Sequence, residues 1–365
     1  MLSKDHQKRK IRIIILSVIL ILITAVSVFF IALRTRNTDA HVFYFSYSIV
    51  YLSAVRSQAN ECFDNLGIKY QNYDGSNNQA TQLEQILSTL SRKPGVIAVN
   101  LLDGTAVNTA EKVTKAASEA DIPVIFFNTE VPDEVINSYD QAYFIGTKIE
   151  EAGIIQGKMV GEYLLEHYKE ADLNHDGKIQ YIMFKGKENN PEANARTQYS
   201  VETANEILTK AGYPELEFYD PNNSNRYLAD KGGGWSAVAA NEYLASALIK
   251  YNDSNNNMIE LVIANNDSMA EGAVSALQKV GYNTGSGDKY IPVYGVDAVQ
   301  SAITLIDSGC MTGTVRQDAA KMGETISIMC DNYLKNRYPL SGLEDIPIDE
   351  DCRKLRIHYT EYTGN

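Results

Sequence analysis

Short runs of consecutive apolar residues, alternating with amphipathic stretches, constrain this chain more than any other feature. Residues 42–47 read as an apolar strand and 52–66 as the helix that follows. K-P-G-V-I-A-V-N (93–100) contains a short strand, 105–120 has helical spacing, and I-P-V-I-F-F-N (122–128) is a strand again. Further strands fit 180–184, 216–219, 259–264, 292–296 and 313–315. Helices fit 193–211, 236–251, 268–280 and 318–336. A strand that is apolar at every position is covered on both faces, as in a parallel sheet with crossover helices. The units are too numerous for one small sheet. The pattern therefore predicts an α/β fold of two doubly wound lobes.

Several of these strands end in a planar polar side chain. Asn128 follows V-I-F-F; Asn265, Asn266 and Asp267 follow L-V-I-A; Asp297 follows V-Y-G-V; Gln317 and Asp318 follow G-T-V-R. Ligands of open parallel sheets bind beyond the carboxyl ends of the strands. Groups there that donate and accept suit a ligand rich in hydroxyls. The same residue types also cap helices. Asp267 and Asp318 are expected to cap, and Asn128, Asn266 and Asp297 to face a ligand.

D-L-N-H-D-G-K-I-Q (172–180) matches most of a calcium loop. Asp172, Asn174 and Asp176 take positions one, three and five. Gly177 takes six, the Lys178 carbonyl seven and Gln180 nine. Position twelve is Met183, inside a strand, where an EF-hand has glutamate. A calcium site here needs a carboxylate from elsewhere. The plain alternative is a polar surface turn.

The N-terminus carries Lys4, Lys8, Arg9, Lys10 and Arg12, then an uncharged apolar run over 13–33, then Arg34 and Arg36. That run is long enough to span about 30 Å of hydrocarbon and exceeds the ~7–15 apolar residues of a cleaved signal. A cleavage after Ser27 would fall inside it. It reads as an uncleaved signal anchor, with 1–12 cytoplasmic, 34–40 a linker and the body extracytoplasmic. Net charge is −13, and no basic run follows the first forty residues, which argues against nucleic acid. Cys62, Cys310, Cys330 and Cys352 lack C-x-x-C spacing, so zinc is not expected; disulfides and free thiols both remain open.

V-I-F-F-N-T-E, A-G-I-I-Q-G, the 172–180 loop, E-L-V-I-A-N-N-D-S-M-A-E-G-A-V-S-A-L, I-P-V-Y-G-V-D-A and G-T-V-R-Q-D-A lie in order along the chain. Together they resemble the periplasmic galactose/glucose-binding proteins of sugar ABC transporters, from about residue 42 to 362. The resemblance implies the periplasmic-binding-protein type I fold, two Rossmann-like lobes joined by three crossings and closing on a monosaccharide. It implies an N-lobe of 40–147 and 318–356 and a C-lobe of 148–317 and 357–365. It also implies that Glu260, in M-I-E-L-V-I-A, completes the calcium shell as a bidentate ligand, the metal being structural.

The resemblance places the sugar contacts on Asn128, Arg196, Asn266 and Asp297, with Trp235 and Tyr51 stacking on opposite sugar faces. Asn190, Glu192 and Gln317 stand where the family has histidine, aspartate and asparagine. Ile49 stands where it has an aspartate that accepts from a sugar hydroxyl. Leaving that hydroxyl unpaired costs about 1–3 kcal/mol. The ligand therefore lacks it, or water bridges it, or binding is weaker; glucose or galactose is not fixed.

The expected function is a membrane-tethered, monomeric sugar receptor serving an ABC permease. The alternative is a sensor that reports sugar to a membrane histidine kinase or chemoreceptor. An enzyme is not expected: Glu192 and Asp297 are the only carboxylates that suggest a glycosidase pair, and both suit hydroxyl recognition better.

Overall fold

Consecutive apolar residues become strands whose neighbouring side chains enter different cores. The computed structural model describes residues 17–18, 39–104, 107–255, 257–286 and 289–364. The expected membrane span at 13–33 lies outside these apart from residues 17 and 18. Among the described residues no helix is long and apolar enough to cross a membrane.

The chain begins β1 (Asp39–Tyr44), α1 (Val50–Leu66), β2 (Lys69–Asp74), α2 (Gln79–Leu90), β3 (Val96–Val99), α3 (Val107–Ala120), β4 (Val124–Phe127), α4 (Asp133–Asn137) and β5 (Ala142–Gly146). It continues through α5 (Glu151–Ala171), β6 (Gln180–Lys185), α6 (Pro191–Lys210), β7 (Glu217–Phe218), β8 (Leu228–Ala229), α7 (Ala237–Leu248), β9 (Leu261–Ala264) and α8 (Asp267–Lys279). It ends with β10 (Val293–Asp297), α9 (Gln300–Asp307), β11 (Gly313–Arg316), α10 (Ala319–Leu334), β12 (Ile348–Asp349), β13 (Lys354–Arg356) and β14 (Thr360–Tyr362).

Two sheets result. The first runs β12-β13-β5-β4-β3-β1-β2 and the second β14-β11-β10-β9-β6-β7, with β8 also on β6. All pairings are parallel except β12 with β13 and β14 with β11. In β4, Val124 and Phe126 enter one apolar cluster while Ile125 and Phe127 enter another. In β9, Leu261 and Ile263 likewise part from Val262 and Ala264. Each sheet is thus buried on both faces, at about 1.5–3 kcal/mol per fully buried large side chain.

β1 stops at Tyr44 rather than at residue 47, because its neighbour stops there: Asp74 is Tyr44's partner in β2. The Asp74 carboxylate instead accepts from the backbone N–H of Tyr47 and Ser76 and shapes the entry to α1. α10 returns to the first lobe, where Ser327 Oγ donates to the Ala59 carbonyl of α1. Chain therefore passes between the lobes three times: β5 to α5, β11 to α10, and β13 to β14. Two crossings are tied together by Thr147 Oγ1 with Tyr359 Oη (3.1 Å) and by Arg356 with the Thr147 carbonyl (2.8 Å). The four cysteines are free thiols, three of them buried.

Candidate functional site

The carboxyl ends of both sheets face one cleft. Tyr51 reaches it from the first turn of α1, and Asn128 from the end of β4. Asn190, Glu192 and Arg196 come from the start of α6, and Trp235 from the loop before α7. Asn266, Asp297 and Gln317 come from the ends of β9, β10 and β11. Every ligand-contact residue expected from the sequence thus lines this cleft. So do Phe45, Ile49, Leu52, Leu102, Thr129 and Lys187.

Arg196 is the centre of the polar side. It is buried, and its Nη1 donates to the Asn265 carbonyl (2.8 Å). Its Nη2 donates to Gln317 Oε1 (3.1 Å) and Tyr359 Oη (3.0 Å). Asp297 Oδ1 lies 3.8 Å from Nη1. Burial opposes the Arg196 charge, but Tyr359 and Asp297 outweigh it and raise its pKa. For Asp297 burial wins: its pKa is pushed up to about 7, with Arg196 pulling the other way. Burial also raises the Glu192 carboxyl. Glu192 Oε1 accepts from the Glu130 N–H of the opposite lobe (3.0 Å), while Oε2 is buried with no hydrogen-bond partner among the described residues.

Two further bonds cross the cleft. Gln317 Nε2 donates to Asn128 Oδ1 (3.0 Å), and Lys187 Nζ to the Leu102 carbonyl (3.4 Å). The Glu130 carboxylate is itself gripped by Arg356 on the third crossing (2.7 Å) and by Lys354. Cleft residues therefore also make contacts between the two lobes.

Three cleft residues occupy left-handed backbone: Asn128 (φ 62°), Trp235 (φ 54°) and Asp297 (φ 123°). Such strain costs on the order of 1–3 kcal/mol each and concentrates at functional sites. The Trp235 indole lies on Gly186, where an added Cβ would stand 2.0 Å from the ring. Asp230 accepts from Gly232 and Ser236 and holds that loop in place. Trp235 is the sole tryptophan, so its emission reports this contact directly. Gly186→Ala is expected to shift that emission and to destabilise by about 1–3 kcal/mol through overpacking. An unchanged spectrum would show that the indole does not rest there.

One capping assignment is corrected. Asn266, not Asp267, caps α8, accepting from Met269 N–H with its Oδ1 (3.1 Å). Asn266 is extended and outside the helix, whereas Asp267 is already helical and turned inward. Its carboxylate accepts from Thr314 Oγ1 (2.6 Å) and Val299 N–H (2.9 Å), which fixes the turn after Asp297. Asp318 does cap α10. Asn190 caps α6 while lining the cleft.

The 172–180 loop joins α5 to β6, with Glu260 just before β9. Asp172 accepts from the N–H groups of Asp176 and Gly177, and Asp176 accepts from Lys178 N–H and Gln180 Nε2. Gly177 turns the loop at φ 82°. Glu260 is fully buried and accepts from Leu173, Asn174 and Gln180 N–H. Burial, with Asp172's charge added, pushes its pKa up to about 7 against those three hydrogen bonds. The Lys178 ammonium points away to Glu217 (2.6 Å). Among the described residues no group of three or more His, Cys, Asp or Glu is placed to hold a metal alone. The oxygens here include the Asn174 and Gln180 amides and the Lys178 carbonyl, which such a group leaves out. An all-oxygen set with a desolvated carboxylate fits calcium.

Two lobes joined by three crossings, with a cleft between the carboxyl ends of their sheets, are the architecture of a protein that binds a small ligand between them. The periplasmic binding protein domain family matches residues 40–337. The D-galactose/methyl-galactoside-binding periplasmic protein of Haemophilus influenzae is 34% identical over 293 residues, 80% of this chain and 79% of that protein. The D-xylose-binding periplasmic protein of Escherichia coli is 25% identical over 292 residues, 78% and 76% of the two chains. The structure of an ABC transporter solute-binding protein from Bacillus halodurans with bound myo-inositol superposes at TM-score 0.65 and 21% identity, covering 90% of this chain and 95% of that one. This chain belongs to the periplasmic binding protein family, and its relatives are solute-binding proteins rather than enzymes.

Proposed function

We propose that the protein binds a monosaccharide and delivers it to a sugar ABC importer, as an extracytoplasmic receptor held by its N-terminal segment. The supporting observation is the pairing of one aromatic face, Trp235, with a rim of Arg196, Asn266, Asp297, Asn128 and Gln317 in a single cleft. The indole suits the C–H face of a pyranose, and the planar amides, carboxylate and guanidinium suit its hydroxyls. Tyr51, Asn190 and Glu192 complete the proposed contacts. Titration calorimetry of the full chain with hexoses, pentoses and deoxysugars is expected to give saturable binding for at least one. No heat from any of them at millimolar concentration would reject the reading. Capture from membranes is expected to recover permease subunits; a histidine kinase recovered in their place would move the reading to sensing.

Asp172, Asn174, Asp176, Gln180, Glu260 and the Lys178 carbonyl are proposed to hold a calcium ion. Bound there, the metal would supply charge compensation for the buried carboxylates and join the loop to β9. It has no part in ligand contact, since none of these residues lines the cleft.

A further inference from the structure

The two walls of the cleft differ in kind. The second lobe contributes mainly polar groups, among them Glu192, Arg196, Asn266, Asp297 and Gln317, with the Trp235 indole as its aromatic surface. The first lobe contributes Phe45, Ile49, Leu52 and Leu102 beside Tyr51. Three polar atoms of the first lobe already have partners in the protein. Thr129 Oγ1 accepts from Asn100 Nδ2 (2.9 Å), and Asn128 Oδ1 from Gln317 Nε2 (3.0 Å). The Tyr51 hydroxyl is directed to Met322 Sδ (3.7 Å). Phe45 and Leu52 are buried, and Ile49 is half-buried at the head of α1.

A ligand hydroxyl pressed against this wall exchanges water for carbon and is left without a partner. A methyl or methylene in the same place gains apolar burial. We infer that the cleft selects a sugar presenting a carbon without a free hydroxyl, a deoxy or methyl-bearing position, to the wall formed by Phe45, Ile49, Leu52 and Leu102. This inference rests on the sugar-binding reading above and names the class of sugar. Gaining a methyl contact and avoiding an unpaired hydroxyl corresponds to about tenfold or more in affinity.

Ile49 offers the direct probe. It occupies the N-cap position of α1 in extended backbone, with no side-chain hydrogen bond to the helix. Aspartate is among the preferred residues at that position, so Ile49→Asp is expected to fold and to keep or raise the melting temperature. It also puts a hydroxyl acceptor into the wall.

The experiment is calorimetry of the full chain and of Ile49→Asp with matched pairs: D-fucose against D-galactose, 6-deoxy-D-glucose against D-glucose, and 2-deoxy and methyl glycoside derivatives against the same parents. In the native protein one deoxy or methylated sugar is expected to bind at least about tenfold tighter than its parent. In Ile49→Asp that ratio is expected to fall or invert. Parent hexoses that bind as tightly as every derivative would overturn the inference while leaving sugar binding intact. A ratio unchanged in Ile49→Asp would also overturn it. No binding by any member would overturn the sugar reading itself, and the inference with it.

Discussion

Arg196→Met is expected to weaken sugar binding by about a hundredfold or more and to lower the melting temperature by roughly 6–12 °C. The guanidinium serves four neighbours: the Asn265 carbonyl, Gln317, Tyr359 and Asp297. Methionine fills much of the volume and satisfies none of them. Removing one partner of a buried ion pair costs about 3–5 kcal/mol, because the other charge is stranded. Here the low end applies, since Asp297 already sits near pKa 7 and escapes by taking up a proton. At about 2–4 °C per kcal/mol for a domain of 150–250 residues, roughly 3 kcal/mol gives the stated shift. Losing one or two charge-assisted hydrogen bonds to hydroxyls, each about 1.5–3 kcal/mol, gives the affinity loss.

The pH dependence carries a sign. An acid whose folded pKa is raised binds its proton more tightly in the folded state. Its contribution is full below the ordinary value of 3.8 and is lost as pH rises through about 7. Without Arg196 the folded value rises further, so the variant's deficit is expected to be larger at pH 8 than at pH 5.5. Calorimetric unfolding at the two pH values measures this. A deficit equal at both would mean that Asp297 is not the stranded charge.

The parts of the site that were legible in the sequence are those built locally. Asn128, Asn266 and Asp297 stand where an apolar strand stops, and a strand's end is visible as the point where apolar residues give way. Trp235 was visible as a lone indole after three glycines. What sequence could not show is what arrives from far along the chain. Tyr359 meets Arg196 only because β13 and β14 carry the third crossing past the cleft. Lys187 reaches Leu102 only because the lobes face each other. Helix α5 was hidden for a different reason. Its Gly153, Gly157 and Gly161 weaken helical propensity, yet they form the stripe on which α6 lies. A Cβ at Gly157 would stand 2.5 Å from the Ser200 carbonyl oxygen, and one at Gly153 2.8 Å from that of Ala195. Tertiary packing overrides propensity there. That Asn266 rather than Asp267 caps α8 is not legible, because sequence does not distinguish the residue just outside a helix from the first one inside it.

Glu260→Gln is expected to abolish most of the stabilisation expected from calcium at the proposed site while leaving sugar affinity within about threefold. In the native protein, calcium at about a thousand times its dissociation constant is expected to add about 4 kcal/mol, or roughly 8–16 °C. Glutamine keeps the shape but gives up the charge and one oxygen. It also turns an amide toward a backbone N–H that Glu260 now accepts from, that of Leu173, Asn174 or Gln180. The calcium-free variant is thus itself less stable, so the informative quantity is the calcium increment. The linkage separates the roles of charge and shape. Glu260 titrates near 7 when folded and near 4.5 ordinarily. Without metal, its contribution is full below 4.5 and falls away as pH rises through 7. Calcium would bind the deprotonated form, so its increment is expected to grow from pH 5.5 to pH 8 in the native protein. In Glu260→Gln the increment is expected to be small at both. Melting curves with calcium and with a chelator give all four values. A full increment in the variant would remove Glu260 from the metal shell, and no increment in the native protein would return the 172–180 loop to a polar turn held by its own backbone bonds.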